Sequence, residues 1–192
     1  MILYVCLIAL GLLVACTLGL NFGVPFLGAT GLDVALAVGL TFLALFIIDA
    51  VCALTIRVLP KKLVNPLHKI YHVAGWEKKL HLKLCVKVWK DIIPENGGSL
   101  AGFSKREVAD KSNNDYIFLF MQETVIAELM HWLSAIFSLF VIFIYTDIFV
   151  VVGLPLMIVN IIMNILPVIV QRYNRPKLMA LYKRNLAKQK KI

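Results

Sequence analysis

Acidic residues are scarce in this chain: 11 Asp and Glu stand against 20 Lys and Arg in 192 residues, a net charge of +9. The four cysteines, Cys6, Cys16, Cys52 and Cys85, show no CxxC spacing, and three of them fall in apolar runs. Thiols are expected and a disulfide framework is not. Only four histidines occur: His68, His72, His81 and His131. His68 and His72 are spaced as a helical metal pair would be, but Glu128-x-x-His131 has no second ExxH, which a di-iron bundle requires. No metal site is expected. There is no internal repeat, no low-complexity segment beyond a lysine-rich end, and no basic patch interleaved with aromatics. The positive charge therefore does not point to nucleic acid.

What the chain has in excess is apolar residues, at 60%, against roughly 45–50% in soluble domains. Four apolar runs, 2–20, 34–59, 127–145 and 148–170, each approach the roughly 20 residues needed to cross a bilayer as a helix. The first lacks a basic leader and is long for a signal peptide, so it is expected to be retained. The fold expected is an all-α membrane protein: four transmembrane helices, with an amphipathic segment between the second and third. The organisation expected is two N-terminal helices (1–59), a cytoplasmic amphipathic segment (60–122), a two-helix hairpin (123–170) and a basic tail (171–192), together one integral membrane domain. Positive charge orients the helices. Segment 60–122 and the tail carry most of the lysines and arginines, whereas the turns 21–33 and 146–147 carry none. Both termini are thus expected in the cytoplasm of a multi-pass plasma-membrane protein, with some of the charge meeting anionic lipid.

The third run opens on chemistry. From Glu123, at about 100° per residue, His131, Ser134 and Ser138 fall within about 80° and Glu128 at about 140°. Glu128 and His131 are i,i+3 neighbours. Ionisable groups at a bilayer edge are costly and face a protein interior or a cavity, which makes them a functional-site hypothesis. The fourth run carries its own stripe: Asn160, Asn164, Pro167 and Gln171 share about 60° of arc. Pro167 lacks an N–H and frees the carbonyl of Met163. Beyond it, Arg172 and Arg175 suit either lipid phosphate or the phosphate of a donor.

Elsewhere the chemistry is thinner. Asp33 occupies a helix-capping place before the second run. Asp49, the one acid inside that run, suits either a cation partner in the core or a cavity. Residues 80–89 alternate almost strictly, which fits a strand, while Leu80, Leu84 and Val88 also fit one helical face. Either way the element is amphipathic, with Trp89 at its boundary. Pro94, Gly97 and Gly98 mark a turn.

Trp89-Lys90-Asp91, Glu123-Thr124, Ala127-Glu128-Leu129-Met130-His131-Trp132 and Gln171-Arg172-Tyr173-Asn174-Arg175-Pro176-Lys177-Leu178 together resemble the glycosyl-4,4'-diaponeurosporenoate acyltransferase family of small bacterial membrane proteins. The likeness covers roughly residues 60–184 and departs at Ile126, where the family pattern has an arginine. It implies a membrane-bound O-acyltransferase that esterifies a hydroxyl of a lipid or glycolipid acceptor such as a glycosyl-carotenoid. It also implies an acyl-CoA or acyl carrier protein donor and no bound cofactor. In that reading His131 is the base, with Glu128 or Glu123 orienting it. Asn164, Gln171 or Asn174 supply oxyanion donors. Arg172, Arg175 and Lys90, with Trp89 and Asp91, hold the donor. Ser134 and Ser138 lack a glycine elbow, so direct transfer is expected. No HxxxxD signature occurs, and the residues alone leave room for methyl transfer or for a non-catalytic lipid-binding or assembly protein. The topology has a direct check: a cysteine replacing Ser112 should resist impermeant thiol reagents in intact cells, and strong labelling from outside would overturn it.

Overall fold

The structure, a computed structural model, describes residues 2–93, 110–143 and 147–190. Most of those residues are helical, with no strand among them, and four helices of 26, 27, 28 and 43 residues are long and apolar enough to span a membrane. The expected turn at Pro94, Gly97 and Gly98 lies outside the described residues. Contacts cluster into two compact units. One comprises Met1–Thr55 and Met130–Leu166, the other Ile56–Leu129 and Pro167–Ile192.

In the first unit, α1 (Ile2–Leu18) runs through a π-helical segment, Gly19–Gly23, into α2 (Val24–Leu27). Gly28, in the left-handed region with φ 66°, ends it. Then α3 (Gly31–Arg57) begins. Asp33 does not cap this helix from in front, as its place in the sequence suggests. Thr30 is the cap: Asp33 Oδ2 accepts from the Thr30 N–H and hydroxyl at 2.7 Å each, and the Asp33 N–H donates back to Thr30 Oγ1 at 3.2 Å. This reciprocal box satisfies donors at both ends of the first turn, which Asp33 cannot do from one position forward. The core of the unit is Ala15, Val34, Ala37, Leu45, Val141, Val152 and Leu156. Many large apolar side chains, among them Leu13, Phe46, Leu54 and Ile158, point outward. That is the surface a bilayer solvates, where helices satisfy every backbone group internally.

In the second unit, α4 (Gly75–Lys83) and α5 (Val86–Trp89) show that residues 80–89 are helical, broken at Cys85 with φ 49°. Alternation alone did not separate helix from strand because Leu80, Leu84 and Val88 also fit a four-residue repeat. Helix α6 (Asn114–Ser138) starts nine residues before Glu123. Asn113 Oδ1 caps it, accepting from the N–H groups of Asp115 and Tyr116 at 3.0 and 3.1 Å. Its first turns bury Ile117, Phe120 and Met121 against Leu178 of α7 (Asp147–Gln189). At 1.5 Å per residue α7 is about 65 Å long, twice a hydrocarbon core. Residues 171–178, placed in the basic tail by sequence, continue it as helix, with Leu178, Met179, Leu181 and Tyr182 packed.

Small residues set the helix spacing in the first unit. A Cβ at Gly19 would lie 2.6 Å from Val34 Cγ1 and 3.1 Å from Val152 Cγ2, whereas one at Gly39 would meet nothing within 4 Å. Gly19→Leu is expected to cost about 1–3 kcal/mol by overpacking and lower the thermal midpoint in detergent. Gly39→Leu should leave the midpoint unchanged.

Candidate functional site

Each unit contains a polar cluster. The first unit joins three helices through side-chain amides. Asn164 Nδ2 donates to the Asn160 carbonyl at 3.0 Å and to Asp49 Oδ1 at 3.3 Å. Asn160 Nδ2 reaches the same Asp49 oxygen at 3.4 Å. With its amino group so committed, Asn164 presents Oδ1 to His131 Nδ1 at 2.8 Å. An amide oxygen only accepts, so this bond places a proton on Nδ1. In the neutral ring Nε2 then carries the basic lone pair. Asp49, Asn164 and His131 thus form one chain that fixes both the tautomer and the angle of the imidazole. Asp49 and Asn160 also border a cleft of about 110 Å³, whose other lining side chains, including Phe42, Phe46, Leu156 and Met163, are apolar. Along α7, Pro167 leaves the Met163 carbonyl without its helical partner. The Tyr4 hydroxyl donates to that carbonyl at 2.9 Å.

The second unit gathers charge. Glu128, 4% exposed, accepts from Arg172 Nη1 on Oε1 at 2.6 Å, and its Oε2 forms an ion pair with Arg175 Nη1 at 2.5 Å. The remaining edge of Arg172 meets Glu77, with Nε at 2.5 Å from Oε2 and Nη2 at 2.8 Å from Oε1. Arg175, 2% exposed, spends its other donors on Thr124 Oγ1, the Thr124 carbonyl and the Tyr71 carbonyl. Glu123 pairs with Arg57 at 3.6 Å. Hydrogen bonding to Arg172 holds the Glu77 carboxyl below its usual range. Burial pushes His81, edge-on to Tyr173, below its usual value.

The sequence-derived candidates therefore fall in two groups. His131 and Asn164 are hydrogen-bonded in the first unit. Glu128, Arg172 and Arg175 are ion-paired in the second, with each nitrogen of the two guanidiniums meeting a protein oxygen. Trp89 donates its indole N–H to the Leu84 carbonyl, and Lys90 pairs with the neighbouring, exposed Asp91 at 2.5 Å. Gln171 and Asn174 are half-buried on α7. Ser134 and Ser138 are buried, and the Ser138 hydroxyl donates to the Ala135 carbonyl at 2.8 Å. Two contributors were not assigned from sequence. Asp49 had a signal, as the single acid in the second run. Glu77 had none, since its partner Arg172 lies 95 residues away.

Four membrane-length helices with amide and ion-pair clusters held between them define a polytopic integral membrane protein. The family model for glycosyl-4,4'-diaponeurosporenoate acyltransferase matches residues 67–184, and the chain belongs to that family of carotenoid-biosynthesis acyltransferases. No curated protein and no solved structure matches the chain.

The ion-pair cluster has a measurable consequence. Removing one partner of a buried pair strands the other charges and costs about 3–5 kcal/mol. Glu128→Ala should therefore lower the thermal midpoint sharply, and the double variant Glu128→Leu with Arg175→Met should recover part of that loss.

Proposed function

We propose that this protein transfers a fatty acyl group to a hydroxyl of a lipid or glycolipid acceptor, such as a glycosyl-carotenoid, with His131 as general base. The observation that carries this reading is the Asp49–Asn164–His131 chain, which leaves Nε2 as the basic nitrogen of a positioned ring. In the proposed step Nε2 takes the hydroxyl proton as the oxygen attacks the thioester carbonyl. The tetrahedral oxyanion collapses, the C–S bond breaks, and the imidazolium returns its proton to the departing thiolate. Atoms and charge balance without a metal or a redox partner. Asn164 takes the orienting role, since the two oxygens of Glu128 are already bound to guanidiniums. The apolar cleft beside Asp49 suits an acyl chain, which reaches a membrane enzyme through the bilayer. The donor is an acyl-CoA or acyl carrier protein, and the setting is the bacterial plasma membrane with both termini cytoplasmic. Family membership supports the acyl chemistry, and the charge distribution supports the orientation.

Purified protein in nanodiscs, given radiolabelled acyl donor and a membrane extract, should label a lipid. His131→Ala should lower turnover per folded molecule by about two to four decades, the usual size of general-base catalysis, while retaining its elution volume. Asn164→Ala should lower turnover less, because the base remains and only its orientation is lost. Unchanged specific activity in His131→Ala, with reduced stability, would make the histidine a packing residue and end the proposal.

A further inference from the structure

The second unit contains a cavity of about 300 Å³ that the acyl-transfer chemistry above does not use. It lies between the chain at Tyr71–Val73, Lys78 of α4, and the α7 residues Arg175, Pro176, Met179, Ala180 and Lys183. Its volume is at the lower end of small-ligand sites. Its charge is one-sided: Lys78 and Lys183 line it, and no carboxylate does. Both lysines are exposed, and neither is ion-paired among the described residues. Glu77, next in sequence to Lys78, has both oxygens turned to Arg172. Arg175 forms part of the wall, but it is 2% exposed and each of its nitrogens already meets Glu128, Thr124 or the Tyr71 carbonyl. The charge open to a ligand is therefore the lysines', not the arginines'. Between the lysines the wall is apolar, from Val73, Pro176, Met179 and Ala180.

We infer that this cavity binds a phosphate ester, its oxygens held between Lys78 and Lys183 and its adjoining chain laid against Met179 and Ala180. Two flexible ammonium groups on one concave wall suit an anion seated between them. The buried Arg175, tied to Glu128, Thr124 and the Tyr71 carbonyl, fixes one part of the wall. The phosphate can come from a soluble thioester carrier or from a lipid headgroup. Only the choice of coenzyme A as a probe rests on the acyl-transfer reading.

The test is binding, not turnover. Coenzyme A is titrated calorimetrically into the full chain in nanodiscs of zwitterionic phosphatidylcholine. In parallel, native mass spectrometry counts phosphatidylglycerol retained from mixed-lipid nanodiscs. Saturable coenzyme A binding that the double variant Lys78→Gln with Lys183→Gln weakens about tenfold assigns the site to a soluble phosphate ester. Retained phosphatidylglycerol that the double variant loses assigns it to a headgroup. Ala180→Phe, which fills the cavity and leaves both lysines, should act like the double variant in whichever arm responds. Lys177→Gln is the control, since Lys177 sits over the Tyr173 ring at 3.9 Å and does not line the cavity. Equal weakening by Lys177→Gln would reduce the effect to general charge and overturn the inference. So would an unchanged double variant, or no response in either arm. His131→Ala should bind like wild type, so failure of the catalytic reading and failure of this one are separable.

Discussion

One carboxylate between two guanidiniums governs the second unit. Arg172 and Arg175 are three residues apart on α7, so their side chains leave the same side of the helix and close on the two oxygens of Glu128 from α6. Glu77 adds a second acid, and the four charges cancel. Such an arrangement adds little net stability over an apolar core, because each ion loses its hydration. What it contributes is register. A one-turn slip of α6 against α7 would leave a charge buried and unpaired, which costs far more than any apolar mismatch. The Thr124 and Tyr71 contacts of Arg175 extend the same constraint to the chain before α4.

The first unit solves a related problem with neutral groups. Asp49 faces two asparagines, whose amide N–H groups donate to its carboxyl. With its N–H groups so engaged, Asn164 turns its Oδ1 to accept from the His131 ring. A lysine or arginine in the place of Asn164 would compete for that carboxylate and hold no oxygen toward His131. The two clusters thus differ in kind: ion pairs lock the second unit, and neutral amides link Asp49 to His131 in the first.

The resemblance to a known family was readable because it rested on short local runs, and the family match over residues 67–184 bears it out. The polar stripe on α7 was also readable, since helical spacing alone put Asn160 and Asn164 together. The partners along that stripe were not. The i,i+3 relation suggested Glu128 for His131, but neighbours on one helix compete with groups from other helices, and here the longer-range donors occupy Glu128. The start of α6 was missed for a similar reason. The stretch before Glu123 falls in the amphipathic segment 60–122 by sequence, but Ile117 and Phe120 pack against Leu178, 61 residues from Ile117.

By itself the sequence determined that this is a four-helix membrane protein, because apolar run length and charge asymmetry are properties of local composition and the bilayer acts on them directly. It also singled out Glu128, His131 and Arg172 as candidates, since ionisable groups are conspicuous in apolar surroundings. Only the tertiary structure decided who meets whom: Asn164 with His131, Glu128 with two arginines, Glu77 with Arg172, and Lys78 and Lys183 around one open cavity. Pairings across 33 to 95 residues depend on how helices rotate and slide in packing. A single chain's local pattern leaves that rotation open, because several polar groups on each face can satisfy the same donors and acceptors.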